Sequence, residues 1–448
     1  MRIAITTLGC KINQYDSAVI HSRLEDHHSM VPFEEAADCY IINTCTVTDR
    51  ADWEARQLVR RAKRRNPVAK ILVTGCYAQV SPDEVARVSG VDYVVGLNRL
   101  DDLVRFVEND SATDDRVALS DVKRERGVPV IGTRALPGHT RAFLKIQEGC
   151  NYSCTYCIIP TARGLSRSVA PREVMEQVRQ LAGSGYKEIV LTGIHLGGYG
   201  QDLRPKIDLT GLAEMIAASG LIFRLRLSSL DPREVPDRLI DLIASSDVIC
   251  PHLHICAQAG DDDILQRMRR NYDTRYYREL LARVRDRLPE AALGSDIIVG
   301  FPGESERQFE SSLAYFASLP LTYFHVFPYS VRRGTPAASL GDQVATDIKK
   351  TRARRMRELG VQKKRAFCSR FIGRRLAVLI EDKLDVKTGA QRGFTRNYLP
   401  VNVRASGEAS NEEVTVELTG FDNGWLAGTP YGAQMEPAAC DSLAVYPE

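Results

Sequence analysis

The stretch GCNYSCTYC constrains this chain more than any other: Cys150, Cys154 and Cys157 stand in the spacing C-x3-C-x2-C on one short loop. Thiolates hold iron–sulfur clusters, and so tight a spacing lets one segment reach several irons. Three cysteines rather than four leave one iron of a cubane cluster without a protein ligand. A zinc knuckle is the competing reading. Structural zinc takes four ligands, however, and no fourth Cys or His follows nearby. The strand-like run AFLKIQEG leads directly into the loop, as expected where chemistry sits at the C-terminal ends of strands.

The remaining sequence supplies a scaffold of that kind. At 448 residues the chain predicts two or three domains. The first hundred residues alternate β-rich runs (RIAITTLG, YIINT, KILVTG, YVVG) with helical segments at 14–28 and 49–66, which predicts a parallel sheet covered by helices. Cys10, Cys45 and Cys76 fall where three of these strands end, so a crevice at the strands' carboxyl ends could gather them. Taken alone, such scattered cysteines are more often small buried residues. Residues 111–138 lose periodicity and read as a linker. Six further strand candidates follow: AFLKIQEG, KEIVLTG, FRLRLSS, HLHIC, GSDIIVGF and YFHVFPYS. With helices between them, they predict an incomplete (β/α)6 barrel over 139–369. RRLAVLIED, FTRNYLPVNVRA and EEVTVELTGFD predict a small antiparallel barrel over 370–437. The fold class is thus α/β, with an N-terminal α/β domain over 1–110.

Eleven cysteines are too few for a disulfide scaffold in so long a chain, and no apolar run approaches the roughly 20 residues of a membrane span. The N-terminus reads as a first strand rather than a signal peptide, so a cytoplasmic, membrane-free protein is expected, with no motif calling for more than a monomer. Net charge is only +3, but twelve Lys or Arg lie between Lys349 and Arg375 against the single acid Glu358. Six more lie between Arg56 and Arg65. These runs are either solvated helix faces or the footprint of a polyanion. Cys39, Cys250 and Cys256 sit in or beside apolar strands and read as core; Cys368 and Cys440 lie outside any motif. His252 and His254 share one strand face, where a hydrogen-bonded pair is favoured over a ligand role.

The motifs together resemble the radical S-adenosylmethionine (SAM) superfamily, and more closely its methylthiotransferase family, over nearly the whole chain. The resemblance rests on GCNYSCTYC followed by IIPTARGLSRS, LTGIHLGGYG, RLSSLDP, HLHICAQAGDDDILQRMRRNY, DIIVGFPGE and FPYSVRRGTPA in this order. It implies a 4Fe–4S cluster on Cys150, Cys154 and Cys157, whose open iron chelates SAM, with SAM contacts from Tyr156, Thr192, Gly193, Ser228 and Gln258. TLGCKINQYDS, NTCTVTDRA and VTGCYAQ match the family's N-terminal segments, which implies an auxiliary 4Fe–4S cluster on Cys10, Cys45 and Cys76. Cys256 departs from the Pro or Ser usual in relatives. GFTRNYLPVNV resembles the TRAM domain, an RNA-binding barrel, and implies RNA contacts from Arg374, Arg375, Phe394, Arg396, Asn397 and Tyr398.

The implied reaction is methylthiolation of a tRNA adenosine at C2. One SAM gives its methyl to sulfur, and a second is cleaved reductively to a 5′-deoxyadenosyl radical. TLGCKINQYDS looks most like the branch acting on N6-threonylcarbamoyladenosine beside the anticodon. The isopentenyladenosine branch reads closer to FGCQMN there, and the branch acting on a ribosomal-protein aspartate closer to LGCPKN. Implied partners are the tRNA anticodon stem-loop and a flavodoxin- or ferredoxin-type electron donor. Two readings from other classes are an iron–sulfur RNA-binding redox sensor and a zinc-stabilised binding protein.

Overall fold

In the computed structural model, residues 1–108, 116–128, 140–404 and 410–431 are described. Six parallel strands form the first sheet: β1 (Arg2–Thr7), β2 (Ser29–Val31), β3 (Cys39–Thr44), β4 (Lys70–Gly75), β5 (Tyr93–Val95) and β6 (Val117–Ala118), in the order β2-β1-β3-β4-β5-β6. β3, CYIINT, is buried along its whole length, as a central parallel strand covered on both faces must be. Its side chains alternate between two cores. Tyr40 and Ile42 pack with Ala55, Val59 and Ala62 of the helix Asp49–Arg65. Cys39 and Ile41 pack with Ile20 and Leu24 of the helix Lys11–Leu24 and with Leu103 and Phe106. β6 lies inside the stretch expected to be linker and extends the sheet at its edge, while 109–115 and 129–139 lie outside the described residues.

The second unit carries β7 (Arg141–Glu148), β8 (Arg167–Ser168), β9 (Glu188–Gly193), β10 (Arg224–Leu227), β11 (Ser229–Leu230), β12 (His252–Ile255), β13 (Ala292–Val299) and β14 (Tyr323–Pro328). β10 pairs with β9, and after Ser228 the same chain continues as β11 and pairs with β12. The two four-stranded sheets are thereby joined into one open parallel array running β7-β9-β10/β11-β12-β13-β14. Leu144, Ile189, Leu191, Leu225, Leu253, Leu293 and Ile297 face the outer helices in one large core. The alternate positions, among them Arg141, Glu188, Arg226, His254, Asp296 and His325, line the concave side.

The helix Thr346–Ser369 leads to β15 (Arg375–Leu384), β16 (Gln391–Thr395), β17 (Pro400–Val403), β18 (Glu413–Asp422) and β19 (Trp425–Pro430), which close into a barrel ordered β15-β16-β17-β19-β18. β19 is absent from the sequence reading. Its signal is Asn423-Gly424, both at positive φ, which join β18 to β19 as the two-residue turn that matches strand twist. Residues 432–448, Cys440 among them, lie outside the described residues.

The segment expected to meet RNA is engaged within the protein. Arg224 donates to the Phe394 carbonyl at 2.9 Å, Arg226 to the Arg396 carbonyl at 3.1 Å, and Asn397 Nδ2 to the Glu290 carbonyl at 3.0 Å. Arg396 reaches the Phe223 carbonyl at 3.2 Å and Glu413 at 3.3 Å. Arg141 lies 4.6 Å from the Phe394 ring centre, and the His252 ring 4.5 Å from that of Tyr398. Arg374 pairs with Glu290, and Arg375 with Glu417. Arg141, Arg224 and His252 each begin a barrel strand, so the turn after β16 closes the N-terminal end of the half-barrel. The half-barrel's starting residues bring polar groups into buried positions, Arg224 and His252 among them, while Arg374 and Arg375 stay exposed. The buried groups satisfy themselves on the turn's carbonyls and rings.

Much of the basic run 349–375 is likewise engaged. Arg352 pairs with Glu304 and Glu306, Arg355 with Glu310, and Lys363 donates to the carbonyls of Ala317 and Leu319. Tyr398→Ala is therefore expected to lower stability by about 2–3 kcal/mol, the cost of removing a well-packed ring from a site it shares with the half-barrel. Thermal unfolding measures this, and an unmoved Tm would show the ring to be free for RNA.

Candidate active site

The loop after β7 is held by its glycines. Gly149 has φ +72°, and a Cβ there would lie 2.0 Å from the Leu165 carbonyl oxygen. Cys150 N–H donates to the Gly164 carbonyl at 3.0 Å, and Cys157 N–H to that of Cys154 at 3.1 Å. Two donors point at sulfur: Tyr152 N–H at 3.4 Å from Cys150 Sγ and Arg270 Nη1 at 3.0 Å from Cys154 Sγ. Arg270 is itself fixed by Asp231. Burial pushes the Cys150 thiol up to about 11 and Cys157 to about 12, so a bound cation is needed to hold them as thiolates at neutral pH. Three thiols on one loop, with N–H groups aimed at sulfur, fit a cluster whose fourth iron is open.

Of the expected SAM contacts, Tyr156 and Gln258 line one cavity of about 210 Å³ with Cys157, Asp296 and Phe327, and Val47 and Thr48 close it from the first domain. Gln258 is held at φ 63° by backbone bonds with Asp296 and Ile298 on β13. Thr192 and Gly193 end β9, and Ser228 sits between β10 and β11, all on the rim of the same strand ends. A second cavity of about 400 Å³ is lined by Val19, Leu97 and Leu103 together with Asp16, Lys145 and Glu148.

Cys45 and Cys76 directly follow β3 and β4, and Cys10 comes after β1 past Leu8 and Gly9; the three strands are neighbours in the sheet, so the topology brings the cysteines to one rim. A Cβ on Gly9, at φ +106°, would lie 2.7 Å from Cys45 Cβ, which measures how closely the loops meet. Asn13 ties them together, donating to the carbonyls of Leu8 at 2.8 Å and Thr44 at 2.9 Å. Cys10 is exposed while Cys45 and Cys76 are buried. Burial pushes Cys45 up to about 12 and raises Cys76, with the neighbouring thiols adding to both. Three thiols converging, with no fourth Cys or His bonded to them among the described residues, suit a second open-iron cluster better than zinc.

One residue that the sequence did not single out joins the auxiliary triad to the half-barrel. Arg163 ends the short helix Ile159–Arg163, a few residues past Cys157, and is buried. Its Nε donates to Cys76 Sγ at 3.2 Å, Nη1 to Glu148 at 2.9 Å, and Nη2 to Asn13 at 2.7 Å and Asp16 at 3.0 Å. Lys145 completes the network with Asp16 at 2.7 Å and Glu148 at 2.9 Å. Despite burial, the Arg163 and Lys145 charges hold the Glu148 carboxyl down at about 2. Its place within IIPTARGLSRS was the available signal.

His252 and His254 are the hydrogen-bonded pair expected: both ring nitrogens meet Tyr323 Oη, at 2.7 and 3.2 Å, and His254 also meets Asp296 at 3.0 Å. Cys256 faces Asp296 at 3.4 Å instead of packing in the core. Burial, with the Arg226 charge behind it, keeps the His252 pKa well below 6.5. The unfolded chain therefore binds a proton that the native chain refuses. Stability is expected to fall as pH drops below about 6.5, by up to ~1.4 kcal/mol per unit per such histidine. His252→Gln should flatten that slope in denaturation curves, and an unchanged slope would refute the assignment.

Comparison with known proteins agrees with this geometry. Residues 2–96 match a family described as "Uncharacterized protein family UPF0004", and residues 144–316 match the radical SAM superfamily. A threonylcarbamoyladenosine tRNA methylthiotransferase of Bacillus subtilis is 39% identical over 96% of this chain and 95% of its own length. That of Aquifex aeolicus is 38% identical over 90% and 96%. A tRNA-2-methylthio-N(6)-dimethylallyladenosine synthase of Carboxydothermus hydrogenoformans is 36% identical over 79% and 82%. The radical SAM methyltransferase TsrM of Kitasatospora setae shares the fold at a TM-score of 0.53 and 15% identity, covering 75% of each chain. With both matched families on one chain and full-length relatives at this identity, the protein belongs to the radical SAM methylthiotransferases and is MtaB-like.

Proposed function

We propose that this enzyme converts N6-threonylcarbamoyladenosine next to the tRNA anticodon to its 2-methylthio derivative. The observation that carries the reading is the presence of two cysteine triads, the auxiliary one tied to the half-barrel by buried Arg163, in a chain with full-length relatives named threonylcarbamoyladenosine tRNA methylthiotransferases. Cys150, Cys154 and Cys157 would hold the SAM cluster, and Cys10, Cys45 and Cys76 the auxiliary cluster. When bound, these groups supply radical generation and sulfur for insertion at an unactivated aromatic C–H.

The chain's own residues position and protect that chemistry. Arg270 and Arg163 hold one sulfur of each triad with a fixed charge. Tyr156 and Gln258, with Thr192, Gly193 and Ser228 on the adjoining strand ends, would seat SAM. Tyr398 and the turn around it close the floor, which limits water entry from that end. Arg60, Arg64 and Arg87 are exposed along a cleft with Arg56 and Lys63. Arg56 reaches Tyr77, next to Cys76, so a phosphate backbone held there would run past the auxiliary triad.

No helix among the described residues is long and apolar enough to cross a membrane. A monomer acting on the anticodon stem-loop in the cytoplasm, reduced by a flavodoxin- or ferredoxin-type donor, completes the proposal. Nucleoside analysis of tRNA from a strain lacking the gene tests it. Loss of 2-methylthio-N6-threonylcarbamoyladenosine, with its unthiolated precursor accumulating, is expected; an unchanged profile in a strain without a second such enzyme would overturn it.

A further inference from the structure

His254 and Cys256 stand two residues apart, at and just past the end of β12, so their side chains share one side of the strand. β13 lies beside β12, and on it Asp296 is in register with His325 of β14. Three neighbouring strands thus bring together an imidazole, a thiol, a carboxylate and a second imidazole. His254 Nε2 lies 3.0 Å from Asp296 Oδ1, His325 Nδ1 3.1 Å from the same oxygen, and Cys256 Sγ 3.4 Å from Oδ2. Ligand atoms of His254, Cys256 and Asp296 all lie within 4.8 Å of one another. Among the described residues, Asp296 pairs with these two histidines and with no Lys or Arg.

Two ring N–H groups and one S–H aimed at a single carboxylate are the outline of a metal shell with protons in the metal's place. In tetrahedral zinc sites, bonds of about 2.0–2.3 Å put neighbouring ligand atoms about 3.3–3.6 Å apart. The spacings here are already near that. The far side of His254 is arranged for it as well, because its Nδ1 meets Tyr323 Oη at 3.2 Å. That oxygen can accept an Nδ1–H, which leaves the Nε2 lone pair for a cation. Gly294, opposite His254 in register, makes room for the hydroxyl: a Cβ there would lie 2.3 Å from Tyr323 Oη. Charge closes too. A divalent ion held by one thiolate and one carboxylate leaves no net charge; the Cys256 proton leaves to water, and each neutral imidazole keeps its proton on its other nitrogen. Magnesium and calcium take oxygen ligands, whereas imidazole and thiolate with a carboxylate suit zinc. We infer that His254, Cys256, Asp296 and His325 form a zinc site separate from both cysteine triads. Four protein donors make it a structural site, one that ties β12, β13 and β14 together beside the cavity whose wall Asp296 shares with Tyr156 and Gln258.

The test uses the full-length protein with both triads loaded with iron and sulfide. It is dialysed anaerobically against zinc sulfate and then against zinc-free buffer, zinc and iron are counted by elemental analysis, and X-ray absorption at the zinc edge reads the neighbours of the bound ion. The expected result is about one zinc per chain beside about eight irons, with one sulfur and three nitrogen or oxygen neighbours. Zinc that had entered a cysteine triad would show three sulfurs instead. Cys256→Ser should weaken zinc by more than about 100-fold, beyond the loss that follows from changing an outer partner, while iron stays at about eight. Added zinc should raise the Tm of the natural protein and leave that of Cys256→Ser unmoved. No zinc retained by the natural protein, zinc bound only with three sulfurs, or equally tight zinc in Cys256→Ser would overturn the inference. Should Cys256→Ser fail to fold, the sulfur count on the natural protein decides alone.

Discussion

Alanine at Cys150, Cys154 or Cys157 is expected to abolish SAM cleavage and methylthiolation together, whereas alanine at Cys10, Cys45 or Cys76 should abolish methylthiolation and leave SAM cleavage in place. The asymmetry follows from where the triads sit. The first lies on a single loop beside the cavity lined by Tyr156 and Gln258, so losing one sulfur removes the cluster that meets SAM. The second is built on three strand ends of a separate sheet whose cores, on both faces, do not include it. Removing one of its thiols leaves the loop of the first triad intact. Iron should fall from about eight to about four per chain in either set. Chemical iron analysis and 5′-deoxyadenosine release under reducing conditions measure the two effects. Loss of SAM cleavage in Cys45→Ala with full iron at the other triad would show that the sites are not separable in this way.

Arg163→Met is expected to cost about 3–5 kcal/mol, because it leaves Glu148 and Asp16 facing the buried interface with, among the described residues, Lys145 as their one remaining ion-pair partner. The loss should be local to the seam between the two units. It should also reach the auxiliary triad, since Arg163 alone links Cys76 to the half-barrel network by a side-chain hydrogen bond. Methionine fills the volume but carries neither charge nor donors. Arg163→Lys keeps the charge yet cannot span Cys76, Asn13, Asp16 and Glu148 at once, so it should fall between the two. Urea denaturation and iron content check both statements. A variant as stable and as iron-rich as the natural protein would show the arginine to be dispensable.

Local pattern made much of this legible in the sequence. The parallel strands that end at Cys10, Cys45 and Cys76 are short β-branched runs bounded by glycine or cysteine, and their chemistry lies at the boundary that such patterns mark best. The six half-barrel strands were readable for the same reason, since their outward residues alternate strictly. What the sequence could not supply is what long-range contact decides. Arg163 meets Cys76 across 87 positions and Arg226 meets Arg396 across 170, and nothing local marks either partner. The FTRNY segment has the aromatic and basic composition of an RNA surface; the structure adds that its groups close the half-barrel floor, because the residues that begin its strands are polar and need partners. β19 was missed because WLAGTP mixes small and polar residues, although the Asn-Gly turn before it carried the signal.

The most direct measurement combines the anaerobically reconstituted protein with SAM, a strong reductant and an anticodon stem-loop RNA bearing N6-threonylcarbamoyladenosine, followed by mass spectrometry of the digested nucleosides. The expected result is a nucleoside in which one methylthio group has replaced one hydrogen on the adenine ring, formed together with 5′-deoxyadenosine. SAM cleavage with no methylthio product, or zinc in place of iron at either cysteine triad, would contradict it.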